Sequence, residues 1–331
     1  MKNLVTDIAG VRVGHADDKA LASGVTAIVF DRSAVAAMDV RGGGPGTREG
    51  AVLDPVSVVE NIDAIALSGG SAFGLEAGGG VQAWLAEQGR GFRIREAIIP
   101  IVPGAICFDL LNGGDKNWGR FAPYRELGYA AAAVADTDFA LGSVGAGLGA
   151  TVANLKGGLG SASAMTESGL RVGALAVVNA VGSTTLGDGP WFWAAPFEIG
   201  REYGGRGLPR SFTPDMLSMR LKGAATASAV ENTTLAVVVT DAVLTKPQAK
   251  RLAMIAQTGF ARAIYPVHAP LDGDVVFAVA TGEKAIDSLV GLTELGMVAA
   301  NVVARAIARG VFAATALPFP GALPAWKDRF G

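Results

Sequence analysis

The chain has 331 residues, half of them hydrophobic and only 18% charged, with a formal net charge of −2. That balance excludes disorder, which needs low hydrophobicity and high net charge, and it supplies no basic run or stripe for nucleic acid. A single cysteine, Cys107, excludes an intrachain disulfide and a cysteine-rich zinc site, and neither His15 nor His268 stands in a recognisable Ser-His-Asp context. Asp7 falls where a secretion signal would need an apolar run. No stretch reaches the ~18 uninterrupted apolar residues of a membrane span; the most apolar one, 97–111, is broken by Pro100, Pro103 and Asp109. A cytoplasmic protein with no membrane or nucleic-acid partner, no metal and no cofactor is the expectation. The 46 glycines show no collagen-like period and so imply tight turns and close backbone approaches.

The first half reads as short apolar strands punctuated by glycine. Residues 25–30 and 64–67 are strand candidates, the second followed by Ser68-Gly69-Gly70-Ser71. A helix is predicted over about 72–88, with Leu75, Val81, Trp84 and Leu85 on its buried face. Residues 98–102 suggest a strand, 142–149 a glycine-dense turn, and 157–165 and 175–181 two further strands. From about 186 to 225 periodicity vanishes; an irregular connection of this length inside a compact domain tends to be functional or mobile. Order returns at Thr233, where 233–240 is a continuous β-branched and apolar run, as in a strand buried on both faces. Thr245, with Pro247 and Gln248, fits a capped helix start, and Leu252, Ile255, Ala256, Phe260 and Ala263 carry an apolar face to about 263. A strand over 275–280 and a last helix over about 286–309 complete the chain.

Two segments draw attention as chemistry. The first is Glu231-Asn232-Thr233-Thr234. A threonine hydroxyl is a weak nucleophile until a base takes its proton, and the residue's own α-amine can be that base once the chain is cut before it. A free α-amine titrates at roughly 7.7–8.0, so part of it is neutral near pH 7. Such an enzyme needs neither histidine nor metal. By itself the tetrapeptide also reads as the plain start of a β-branched strand. The second is Asp272-Gly273-Asp274, whose carboxylates point the same way on an extended backbone and which reads equally well as a solvated turn. Arg41 to Thr47, with five glycine or proline residues between, could cradle an anion with backbone N–H groups. Gly145-Ala146-Gly147-Leu148-Gly149 falls short of a dinucleotide-binding turn and reads as packing glycine. Lys156 is a possible buried cation, and Asn179, ending a very apolar strand, a possible oxyanion donor.

Taken together, residues 10–15 (GVRVGH), 67–80 (LSGGSAFGLEAGGG), 142–156 (GSVGAGLGATVANLK), 157–163 (GGLGSAS), 177–182 (VVNAVG), 232–241 (NTTLAVVVTD) and 272–274 (DGD) resemble the DmpA-type aminopeptidases of the P1 (S58-like) group, which includes β-aminopeptidases and nylon-oligomer hydrolases. The segments follow the family's order and span nearly the whole chain. The resemblance implies an α/β fold, a four-layer αββα sandwich of the N-terminal-nucleophile type, forming one domain over 1–331. It implies self-cleavage into 1–232 and 233–331, and assembly of the cut units into tetramers or larger homo-oligomers. Carried over by position, Thr233 is the nucleophile, Asn179 the oxyanion asparagine, Lys156 an active-site lysine, and Asp272 and Asp274 the acidic pair that supports the nucleophile's amine. One departure stands out: Phe108 occupies the place where the family often has an active-site tyrosine. Trp191-Phe192-Trp193 belongs to no motif; Trp191 is a candidate, with Phe108, for lining a substrate pocket.

The expected function is hydrolysis of amide bonds in small peptides or amino-acid amides through a Thr233 acyl-enzyme. An acyltransferase using the same acyl-enzyme, or an uncut binding protein without catalysis, are the rival readings.

Overall fold

Runs such as 233–240 and 275–280 are apolar at successive positions, so strands made from them must be covered on both faces. The computed structural model, which describes residues 1–223, 232–286 and 288–331, meets that demand by layering. In chain order the strands are β1 (Val11–Asp18), β2 (Ser23–Val40), β3 (Thr47–Arg48), β4 (Asn61–Ser68), β5 (Phe92–Ile94), β6 (Ala97–Ile99), β7 (Gly104–Ile106), β8 (Gly158–Met165), β9 (Arg171–Asn179), β10 (Thr233–Ala242) and β11 (Val275–Lys284). The helices are α1 (Ala77–Glu87), α2 (Tyr124–Ala133), α3 (Lys246–Ala256), α4 (Thr258–Ala261), α5 (Leu289–Ala313) and α6 (Trp326–Phe330).

Nine strands form one hydrogen-bonded sheet in the order β3-β7-β4-β2-β11-β10-β9-β8, with β1 beside β2, while β5 and β6 make a separate hairpin. The long β2 joins the two halves. Its residues 25–29 pair with β4 and its residues 35–40 with β11, and the register against β4 shifts between Val29 and Ala34. Such an irregularity bends a strand, and here it accompanies the passage from one half of the sheet to the other.

Successive side chains on a strand face opposite ways, and this alternation sorts the apolar residues into three cores. Leu175, Val177, Leu235, Val237, Val275 and Phe277 meet Ile28, Phe30, Ile65 and Leu67 between the two halves of the sheet. Their neighbours Ala176, Val178, Ala236, Val238, Val276 and Ala278 turn outward to Leu252, Phe260, Val302, Val303 and Ile307 of α3, α4 and α5. On the opposite outer side Val25, Ala27, Val29, Ala64 and Ala66 pack under Val81, Leu85, Ala131 and Ala132 of α1 and α2. Three cores between four layers make the αββα sandwich that the resemblance implies. By length and composition α5 could cross a membrane, but most of it is buried, packed on β8 and β9. Its approach is close: a Cβ on Gly160 would stand 2.0 Å from the Ala306 carbonyl oxygen.

Several element boundaries differ from the sequence reading, each for a local reason. The strand expected over 98–102 stops at Ile99, because Pro100 and Pro103 cannot donate to a ladder. The helix expected from 72 begins at Ala77 after a 3-10 turn over Ser71–Glu76. The helix over 246–263 divides at Gln257, whose side-chain amide donates to the Asp39 carbonyl at 2.9 Å. Its start is as expected, with Thr245 and Gln248 forming a capping box. Strand β9 starts four residues early, at Arg171, and α5 runs on to Ala313. Glu231 and the last residues of the irregular connection, 224–225, lie outside the described residues.

Candidate functional site

Thr233 opens β10 directly opposite Asn179, the last residue of β9. It is buried, and its Oγ donates to the Asn232 carbonyl oxygen at 2.5 Å. The same oxygen accepts the Gly273 N–H at 2.8 Å, and the Asn232 N–H donates to the Leu271 carbonyl at 3.0 Å. Asn232 thus lies as a parallel ladder residue beside Asp272. The segment 271–274 therefore grips the backbone on both sides of the Asn232–Thr233 bond.

The two aspartates of that segment take different partners. Asp274 Oδ1 accepts the Thr234 N–H at 2.8 Å, and its Oδ2 meets His268 Nδ1 at 2.8 Å and the His268 N–H at 3.2 Å. Asp272 Oδ1 accepts the Val181 N–H at 3.1 Å. Burial, and then the neighbouring Asp274 charge, push the Asp272 carboxyl up to about 7 from its ordinary 3.8. The glycine loop considered as an anion cradle is occupied by protein: the Gly44 N–H donates to the Asp272 carbonyl at 2.8 Å and the Arg41 N–H to the Asp274 carbonyl at 3.0 Å.

The raised Asp272 value carries a sign. Between about pH 4 and 7 the folded chain keeps a proton that the unfolded chain has lost, so this group's contribution to stability falls as pH rises through that window. In a Thr233→Ala background, Asp272→Asn is expected to flatten the fall in melting temperature between pH 4.5 and 7.5 (roughly the window set by the two values). An equally steep fall in the Asn variant would assign the dependence to another group.

Asn179 is fully buried at the end of β9. Its Oδ1 accepts the Thr151 N–H at 3.0 Å and the Lys222 ammonium at 2.9 Å, which fixes the amide's orientation. Its Nδ2 consequently faces the other way and donates to the Phe108 carbonyl at 2.9 Å. Lys222 also donates to the Thr151 carbonyl at 3.2 Å, and its backbone N–H to the Val181 carbonyl at 2.8 Å. Burial lowers its value to about 8. Sequence reasoning missed Lys222, which sits in the stretch without periodicity; its place just before the return of order at Thr233 was the available signal.

Lys156 is buried, and its Nζ donates to the carbonyls of Ala150 (2.7 Å), Gly157 (2.8 Å) and Gly147 (3.1 Å). Three acceptors match the three donors of an ammonium, so Lys156 ties the glycine-dense turn to β8. Burial depresses its value to about 7. Both lysines line a cavity of about 770 Å³ with Phe108, Asp109, Leu111, Thr151, Leu317 and Leu323. Phe108 is thus at the cavity wall, where it offers a ring and a carbonyl but no hydroxyl. Trp191 is not among the residues lining that cavity; its ring lies against Gly189, and the adjacent Phe192 stacks on Trp326 in the outer core. Thr233 does not line it either. No group of His, Cys, Asp or Glu residues suited to a metal ion occurs among the described residues.

The model of Peptidase family S58 matches residues 3–322 of this chain. An uncharacterized aminopeptidase of Mycobacterium tuberculosis is 41% identical over 99% of this chain and 98% of the relative. A 6-aminohexanoate-oligomer endohydrolase of Kocuria sp. is 28% identical over 91% of this chain and 84% of its own length. Among solved structures, the L-aminopeptidase D-Ala-esterase/amidase of Ochrobactrum anthropi, described as a variant of the Ntn hydrolase fold, superposes with a TM-score of 0.73 at 20% identity, covering 99% of this chain and 91% of that one. A β-aminopeptidase of Burkholderia sp. gives 0.70 at 22% identity, covering 99% and 93%. These structures share the four-layer fold, and the match over nearly the full sequence gives the lineage: the chain belongs to peptidase family S58, a family of hydrolases.

Proposed function

We propose that this chain cuts itself between Asn232 and Thr233 and then acts as an aminopeptidase-like amidohydrolase with Thr233 as its nucleophile. One observation carries the reading: the Thr233 hydroxyl lies 2.5 Å from the oxygen of the peptide bond it would break, in a backbone held on both sides by residues 271–274. Holding a nucleophile against its target supplies much of a barrier reduction in advance. The names of the relatives, aminopeptidases and an amide-oligomer hydrolase, agree with amide chemistry.

In the first stage Thr233 Oγ adds to the Asn232 carbonyl carbon. The C–N bond breaks, the hydroxyl proton ends on the departing nitrogen, and water hydrolyses the resulting ester. The second stage uses the free amine so produced. It takes the Thr233 hydroxyl proton as Oγ attacks the substrate's amide carbonyl carbon, then passes that proton to the amide nitrogen as the C–N bond breaks and the amine leaves. Asn179 Nδ2 steadies the oxyanion, and water releases the acyl group. Lys222 is a positioning residue in this scheme. Its charge holds Asn179 Oδ1 and so turns Nδ2 toward the cavity wall formed by Phe108. The cavity, of about 770 Å³ and partly apolar, suits a small peptide or amino-acid amide.

A panel of α-, β- and ω-amino-acyl amides tests this reading. Cut protein should release amine from at least one class, and hydroxylamine should divert part of the acyl group to a hydroxamate. Transfer to an amine acceptor with no hydrolysis in its absence would identify an acyltransferase instead.

A further inference from the structure

We infer that the backbone N–H of Gly273 is the oxyanion donor for self-cleavage, a donor separate from the Asn179 amide that serves substrate. The inference rests on the self-cleavage proposed above and assigns a group to its first step. In the uncut chain the Asn232 carbonyl oxygen accepts from Thr233 Oγ at 2.5 Å and from the Gly273 N–H at 2.8 Å. When Oγ bonds to the carbonyl carbon, its proton leaves for the departing nitrogen and its hydrogen bond to the oxygen is given up. Negative charge grows on that oxygen at the same time, and the Gly273 N–H remains on it.

The donor is held in advance, which is what makes such a group effective. The Asn232 N–H is fixed to the Leu271 carbonyl and the Thr234 N–H to Asp274 Oδ1, so the scissile unit is registered against the segment at both ends. The segment itself is anchored from behind by Gly44 and Arg41. The position also explains its glycine. A Cβ at 273 would stand 2.6 Å from the Gly44 carbonyl oxygen and 2.7 Å from Thr233 Oγ, crowding the attacking hydroxyl. One N–H of Asn179 Nδ2 donates to the Phe108 carbonyl at 2.9 Å.

An amide-to-ester exchange tests the assignment without touching any side chain. Full-length chains made by cell-free translation with glycolic acid in place of Gly273 carry an oxygen where the N–H was. The matched control carries glycolic acid in place of Gly44, which removes another 2.8 Å backbone bond of the same segment. Cleavage is followed by denaturing mass spectrometry. The Gly273 ester is expected to cut about 10²–10³ times more slowly than the unmodified chain, the usual cost of one oxyanion donor, and far more slowly than the Gly44 ester. Equal slowing of the two esters, or a Gly273 ester that cuts at the unmodified rate, overturns the inference. An unmodified chain that never cuts defeats the self-cleavage reading itself, an outcome separate from both.

Discussion

Thr233→Ala is expected to leave an intact chain of 33.6 kDa with no measurable amide hydrolysis. Both proposed stages use the same oxygen atom, so its removal blocks maturation and turnover together. Loss of a covalent nucleophile commonly lowers turnover by about 10⁶. The fold should survive: Thr233 sits at the first position of β10, and the strand's packing comes from Leu235, Val237 and Val239 inward and Ala236 and Val238 outward. The serine variant keeps a hydroxyl and should retain both stages at reduced rate. A Thr233→Ala protein that still appears as two fragments, or still hydrolyses amides, removes Thr233 from the mechanism.

Asn179→Ala is expected to lower turnover of cut protein by about 10²–10³, the magnitude found for oxyanion donors elsewhere. The change also strips the Thr151 N–H and the Lys222 ammonium of an acceptor, at a stability cost of about 1–3 kcal/mol. A melting curve read beside the kinetics separates the two effects, because a loss of stability alone leaves the rate per folded molecule unchanged. Lys222→Met should shift turnover in the same direction by about 10-fold or more, the worth of one charged hydrogen bond, with the larger change in kcat rather than KM. Turnover that stays at the wild-type level in Asn179→Ala removes that residue from the acyl-transfer step.

The layered fold was legible where periodicity is simple. The run 233–240 is apolar on both faces, and it became the inner strand whose alternate residues feed two cores. Strand β1 was not read, because Arg12, Gly14, His15, Asp17 and Asp18 dilute its apolar signal and its partner β2 supplies the burial. Helix α2 was overlooked for a related reason: half of Tyr124–Ala133 is alanine and glycine, and its contact with α1 depends on small size rather than on an apolar stripe. In the Asp-Gly-Asp motif the carboxylates drew the eye. Their oxygens hold Val181, Thr234 and His268, while the part of the motif that reaches the Asn232 carbonyl is the backbone N–H of the glycine between them. Backbone donors have no letter in a sequence. Lys222 shows the same limit from another side. It comes from a stretch with no periodic pattern and reaches Asn179 only because residues 181 and 222 meet in three dimensions.

Intact-mass spectrometry of freshly purified wild-type protein under denaturing conditions tests the central claim most directly. The account predicts two fragments whose masses add to the precursor plus one water, the smaller beginning at Thr233. A single full-length mass that persists through long incubation would contradict it, since Thr233 would then never acquire the free amine on which the proposed turnover depends.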